Sequence, residues 1–156
     1  AKLEDENIDM PLLVQGEGSK NDLLQRFRHH GNSILVGSQS FWEGVDVRGE
    51  ALSLVVIDKI PFAPPDDPVL SARIEQMKKD GRNAFMEYQL PRAVINVKQG
   101  AGRLIRDETD RGVLMICDPR LITKPYGKRV WRSLPPMKRT RELAEVVDFF
   151  EAGALA

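Results

Sequence analysis

The sequence predicts an α/β fold, a mostly parallel sheet flanked by helices, and three observations carry that prediction. Short apolar runs at residues 11–15, 33–37, 52–57 and 113–117 alternate with stretches of helical period, the pattern of strands joined by helical crossovers. Residues 52–57, Leu-Ser-Leu-Val-Val-Ile, are almost continuously apolar, as expected of a strand covered on both faces. The runs also end in polar or glycine-bearing loops, such as residues 38–49 and 118–120, where an open parallel sheet presents its ligands.

Each element follows in order. Residues 1–10 are acidic and without period, so they form a tail. Residues 11–15 read as a short buried strand ended by Gly16-Glu17-Gly18. Ser19 is a good helix N-cap with Asp22 three residues on, and Leu23, Leu24 and Phe27 give that helix its apolar face before Gly31-Asn32 stops it. Residues 16–20 lack the glycine spacing and the Lys-before-Ser order of a phosphate-cradling loop. His29 and His30 fall in the last helical turn, where positive charge is tolerated, and no metal site is expected. The strand at 33–37 runs into a loop with glycines at Gly37, Gly44 and Gly49. In it Asp46 or Ser40 can serve as a local cap and Trp42 as a core aromatic.

After the strand at 52–57, Pro61, Pro64, Pro65 and Pro68 forbid regular structure until a helix over 69–79, with Leu70, Ile74 and Met77 inward and Asp80-Gly81 as its stop. Residues 83–89 fit no single pattern. Pro91 suits the first turn of the next helix, and residues 107–112 form a polar turn before the strand at 113–117. Tyr126-Gly127-Lys128 opens a short helix that Pro135-Pro136 breaks. Leu143, Val146, Val147 and Phe150 recur at helical spacing, which predicts a terminal helix packed on the domain. The expected division is an acidic tail at 1–10, a globular lobe at 11–134, and a C-terminal helix and tail at 135–156.

A chain of 156 residues with 42% apolar content can bury one core, so one domain is expected. The formal net charge of zero hides an uneven distribution. Residues 1–22 hold six acids against Lys2 and Lys20, whereas residues 119–141 hold eight cations and no acid. Arg120, Lys124 and Lys128 open that cationic segment and are candidates to track the phosphates of a nucleic acid. Arg129 and Arg132 could instead pair with Glu142 or Glu145. The single cysteine, Cys117, cannot form an intramolecular disulfide or a four-thiolate metal site, and the simplest reading is a reducing, intracellular setting. With no basic-then-apolar leader and no long apolar run, a cytoplasmic protein without a membrane span is expected.

The helix containing residues 99–106 has two opposed jobs. Val94, Val97, Ala101 and Leu104 make an apolar stripe, while Gln99, Arg103 and Arg106 share a narrow stripe nearly opposite. Gly100 and Gly102 each cost up to ~1 kcal/mol in a helix interior, which suggests close approach of a backbone or ligand. Two arginines one turn apart offer forked donors suited to phosphate oxygens and to charge on a transferring phosphoryl group. Spacing alone fits an ordinary solvated stripe equally well.

Residues 99–106, Gln-Gly-Ala-Gly-Arg-Leu-Ile-Arg, resemble motif VI, Q-x-x-G-R-x-x-R, of the superfamily two helicases related to XPD. The flanks look most like the bacterial DinG/YoaA branch. Residues 38–49, with Phe-Trp-Glu-Gly-Val-Asp at 41–46, resemble motif V of the same branch, and Asp118-x-Arg120 followed by Tyr126-Gly127-Lys128 is similar to it too. The resemblance spans roughly residues 11–134 and implies a RecA-like second helicase lobe, of the P-loop-NTPase type, that starts after its usual first strand. It implies that Arg103 and Arg106 reach across a cleft to ATP, and that Gln99, Glu43, Gly44 and Asp46 line the cleft. Ser38 and Ser40 then lie nearer single-stranded DNA. This chain has no phosphate loop and no acidic pair after a strand, so ATP and Mg2+ are expected to be held mainly by an N-terminal lobe of the same polypeptide. An iron-sulfur cluster belongs, in the family, to that other lobe, and one cysteine here cannot supply it. The fragment alone is expected to be inactive. The rival expectation is a non-catalytic nucleic-acid-binding or interaction module built on the basic segment.

Overall fold

The structure, a computed structural model, describes residues 9–42, 52–64, 66–105 and 110–154. Its elements are β1 (Leu12–Val14), α1 (Lys20–His30), β2 (Ile34–Val36), the short α2 (Gln39–Trp42), β3 (Leu54–Ile57) and α3 (Pro68–Lys79). A π-helical turn (Phe85–Gln89) then leads into α4 (Leu90–Leu104), followed by β4 (Val113–Ile116), α5 (Arg120–Thr123), α6 (Gly127–Arg132) and α7 (Leu143–Ala154). All strand pairing among the described residues is parallel. β1 pairs with β2, Leu13 opposite Leu35, and β3 pairs with β4, Val55 opposite Leu114. The α/β class expected from the alternation of runs is therefore what forms.

Local chemistry sets most boundaries. The Ser19 side chain accepts from the Asp22 N–H at the start of α1, and Gly31, at φ 68°, ends it. Asp67 caps α3 through the Val69 and Leu70 N–H groups, with Pro68 at the first helical position and Gly81 at φ 71° just past the end. The stretch at 83–89, which fitted no pattern, is the π-helical turn. Pro91 has no N–H to give the carbonyl four residues back, and the Leu90 N–H instead reaches the Phe85 carbonyl, widening the turn so the proline fits without breaking the helix. Asn83 and Glu87 fasten its start. The Asn83 side chain accepts from the Met86 N–H, and Glu87 accepts from the Asn83 N–H and the Arg82 guanidinium, whose contact lowers the Glu87 carboxyl below its ordinary value.

Two apolar clusters hold these elements. One gathers Leu13, Leu23, Leu24 and Phe41 around β1 and α1. The other joins Ile57 and Ile60 to Leu90, Ala93 and Val97 of α4 and to Val130 of α6. Burying side chains of this size contributes about 1.5–3 kcal/mol each, so α4 is seated chiefly by Leu90, Val97 and Leu104. β3 departs from the expectation of two covered faces. Val55 and Ile57 turn toward α4, while Val56 is 51% exposed and its partner Met115 48% exposed. Alternation along a strand puts neighbours on opposite faces, and among the described residues only one face of the β3–β4 pair is covered.

The terminal helix forms where its periodicity placed it but packs little. Leu143 is 72% exposed, and Val147 and Phe150 are exposed as well. The Arg111 guanidinium lies 5.0 Å from the Phe149 ring centroid, and Lys138 bonds Glu145 at 2.8 Å. These are polar attachments rather than a shared core.

Candidate nucleotide contact and nucleic-acid interface

The burial of α4 gives its chemistry a direction. Leu90, Ala93, Val97, Gly100, Ala101 and Leu104 are buried, and a helix seated along that arc must turn Gln99 and Arg103 to the opposite side. Gln99 is exposed, Arg103 is half-buried, and among the described residues no carboxylate pairs with Arg103. The two glycines differ. Gly100 faces the core, whereas a Cβ on Gly102 would meet nothing within 4 Å among the described residues, so packing against those residues explains no need for glycine at 102. Arg106 lies outside the described residues, as do Glu43, Gly44 and Asp46.

The loops after the strands are tied together by side chains. The Gln15 amide oxygen, just past β1, accepts from the Ser38 N–H at 2.7 Å and the Ser38 hydroxyl at 2.9 Å, and that hydroxyl lies 2.9 Å from the Ser40 hydroxyl. Ser38 and Ser40 are both exposed. Their loop is therefore anchored to the neighbouring strand before any ligand arrives. The strand expected over residues 11–15 ends at Val14, and Gln15 carries this tie instead. Its signal was a polar amide placed at the C-terminal end of an apolar run.

A second tie joins the loops after β3 and β4. Asp118 is buried, accepts from the Ile60 N–H at 2.8 Å and the Arg120 N–H at 2.9 Å, and holds the Arg120 guanidinium through both carboxylate oxygens. The Arg120 guanidinium beside it lowers the Asp118 carboxyl to about 2, with burial opposing and the backbone N–H groups assisting. Arg120 also lies 5.3 Å from the Phe62 ring centroid, and Phe62 packs with Phe85 and Tyr126. Arg120 was expected to contact nucleic acid. Here Nε and one N–H of Nη2 are committed to Asp118, which leaves the two N–H groups of Nη1 and the second of Nη2 without a partner among the described residues. Lys124 and Lys128 are exposed at the end of α5 and on α6, and no described carboxylate pairs with either.

Farther along the basic segment, Glu145 is taken by Lys138, and none of the described ion pairs joins Arg129 or Arg132 to Glu142 or Glu145, the alternative expected for them. Arg132 and Arg139 instead approach Trp131. Among the described residues no group of three or more His, Cys, Asp or Glu side chains could hold a metal ion. Nor is any described helix long and apolar enough to cross a membrane.

The fold is thus an α/β scaffold with an arginine-bearing helix on one side and anchored polar loops at the strand ends. Residues 1–137 match the helicase C-terminal domain, and the chain belongs to that family. It is 59% identical over 142 residues to the ATP-dependent DNA helicase YoaA of Escherichia coli strain K12, covering 91% of this chain and 22% of that protein. It is 53% identical over 146 residues to the YoaA of Haemophilus influenzae, covering 94% and 23%, and 43% identical over 141 residues to the ATP-dependent helicase DinG of Mycobacterium tuberculosis, covering 90% and 21%. The chain thus spans about a fifth of the length of these relatives.

Proposed function

We propose that this chain is the second motor lobe of an ATP-dependent DNA helicase that moves on single-stranded DNA. One observation carries the reading: α4 buries one face in the core and presents Gln99 and Arg103 on the other, with no described carboxylate neutralising the arginine. Forked guanidinium donors suit phosphate oxygens. In this reading Arg103 and Arg106 stabilise charge developing on the γ-phosphate of ATP, and Gln99, Glu43, Gly44 and Asp46 line the cleft. Mg2+, bound with ATP mainly by the N-terminal lobe of the same polypeptide, neutralises phosphate charge, and the described residues offer it no acidic cluster. DNA runs past Ser38 and Ser40, with Lys124, Lys128 and the free Nη1 of Arg120 meeting phosphates. The relatives' names as ATP-dependent DNA helicases support this assignment.

The experiment compares two proteins. The chain alone should hydrolyse no ATP, whereas the polypeptide that joins it to an N-terminal motor lobe should show DNA-stimulated hydrolysis. In that polypeptide Arg103→Ala should lower kcat by about 10³-fold with little change in ATP binding, as for other arginine fingers. DNA-stimulated hydrolysis by the chain alone would refute the two-lobe reading. Wild-type turnover in Arg103→Ala would remove Arg103 from it. The unpaired cations of residues 119–141 favour, as a second reading, a non-catalytic nucleic-acid-binding module, which requires DNA binding with no hydrolysis in either protein.

A further inference from the structure

The Arg139 guanidinium lies 4.1 Å from the centroid of the Trp131 ring, and its Nη2 donates to the Trp131 carbonyl at 3.4 Å. The Arg132 guanidinium lies 5.5 Å from the same centroid. Two like charges converging on one ring repel each other, and the negative face of an indole offsets only part of that, about 0.5–1 kcal/mol per cation at an exposed site. Of the two acids nearest along the chain, Glu145 is bonded to Lys138, and none of the described ion pairs involves Glu142. Both arginines are exposed and Trp131 is half-buried, so the ring is fixed by the fold while the guanidinium groups face water. Lys128 sits one turn before Arg132 on α6, and the exposed Lys124 closes the preceding α5.

We infer that Arg132 and Arg139, both held against Trp131, form a clamp for the phosphodiester backbone of single-stranded nucleic acid. The arrangement suits phosphate better than bases, because the guanidinium groups already approach the ring on which a base would stack. Holding a guanidinium against an aromatic ring removes rotamer freedom before binding, so less is lost when a phosphate arrives. A carboxylate-bearing peptide would satisfy the same donors. The further exposed cations at Lys128 and Lys124 favour a polymer with repeated charge. The inference rests on the DNA-binding part of the proposed function and adds a site to it.

The test is a fluorescence-anisotropy titration of labelled oligothymidylate across a range of salt, using the polypeptide that includes the N-terminal lobe. Each phosphate neutralised on a single strand contributes about −0.7 to the slope of log affinity against log salt, so Arg132→Ala/Arg139→Ala should flatten the slope by roughly 1.4 and weaken low-salt binding about tenfold or more. Trp131→Ala should reproduce much of that loss and Trp131→Phe should restore it, because the ring positions the cations rather than meeting DNA. Unchanged slope and affinity in the double variant would overturn the clamp. So would equal competition by polyglutamate, which would mark the patch as a peptide site. If the clamp variants bind normally while Arg103→Ala still abolishes hydrolysis, the clamp fails and the motor reading stands. If the unaltered protein binds no DNA, both fall.

Discussion

Asp118→Asn isolates the tie between the loops after β3 and β4, because it keeps the side chain's shape and removes its charge. The carboxyl is lowered from an ordinary 3.8 to about 2, chiefly by the Arg120 hydrogen bonds. At 1.36 kcal/mol per unit, that shift corresponds to about 2 kcal/mol of folded-state stability. The Asp118 side chain is 2% exposed but that of Arg120 is 38% exposed. Solvent therefore screens one partner, and the loss should fall below the ~3–5 kcal/mol seen when a wholly buried pair is broken. The sign follows from proton binding. The folded carboxyl binds its proton less tightly than the unfolded one, so the unfolded chain holds more protons between the two values and stability rises with pH there. The contribution is fully present above about pH 4 and disappears as pH falls through about 2. Urea unfolding followed by circular dichroism, at steps from about pH 7 to about pH 2, should give a wild-type advantage that is flat at the upper end and shrinks across the lower window. Curves that stay parallel over that window would show that Asp118 is not the group responsible, and the electrostatic account of the tie would be wrong.

Gly127→Ala should destabilise by about 1–3 kcal/mol, because a Cβ there falls on the Leu121 carbonyl and within 2.9 Å of the Arg120 carbonyl, both backbone atoms that cannot yield; an unshifted urea midpoint would refute this. Replacing Lys124 and Lys128 together by Ala should flatten the salt dependence of oligothymidylate binding by roughly 1.4. An unchanged slope would route the strand elsewhere, past the loop that begins at Ser38.

Local signals in this chain were readable because their physics is local. Ser19, Asp80-Gly81 and Gly31 set helix ends through caps and φ values that depend on a few adjacent residues. The two faces of α4 were legible because periodicity alone divides them, although the structure describes Gln99 and Arg103 and not Arg106. The covering of sheets was not legible. An unbroken apolar run such as residues 52–57 does not say which neighbour will cover each face, and here α4 covers one. Tertiary pairing was equally hidden. Nothing near Asp118 in sequence announces that it bonds the N–H of Ile60, and Gln15 bonds Ser38 across a connection of 22 intervening residues. Charge counting marks the basic segment as a field, yet it cannot tell that Arg120 is bound by Asp118 while Arg132 and Arg139 gather on Trp131.

The widened turn at Phe85–Gln89 fixes an angle as well as a path. An α-helix advances about 100 degrees per residue, and a π-helical turn takes up one residue more than an α-turn over the same rise. Phe85 at the start of this segment packs with Phe62 and Tyr126, while Gln99 and Arg103 face away from the core farther on. Deleting a single residue between Phe85 and Pro91 would let the segment run as uniform helix with the aromatic anchor and the arginine still in register. Straightening the turn at its present length would instead rotate the anchor by about 100 degrees relative to the arginine. The chain could then seat Phe85 among its aromatic partners or aim Arg103 as it does now, but not both. The hydrogen-bond period of this stretch therefore acts as a setting of aim, and the azimuth of Arg103 is fixed more than ten residues upstream by a proline that carries no charge.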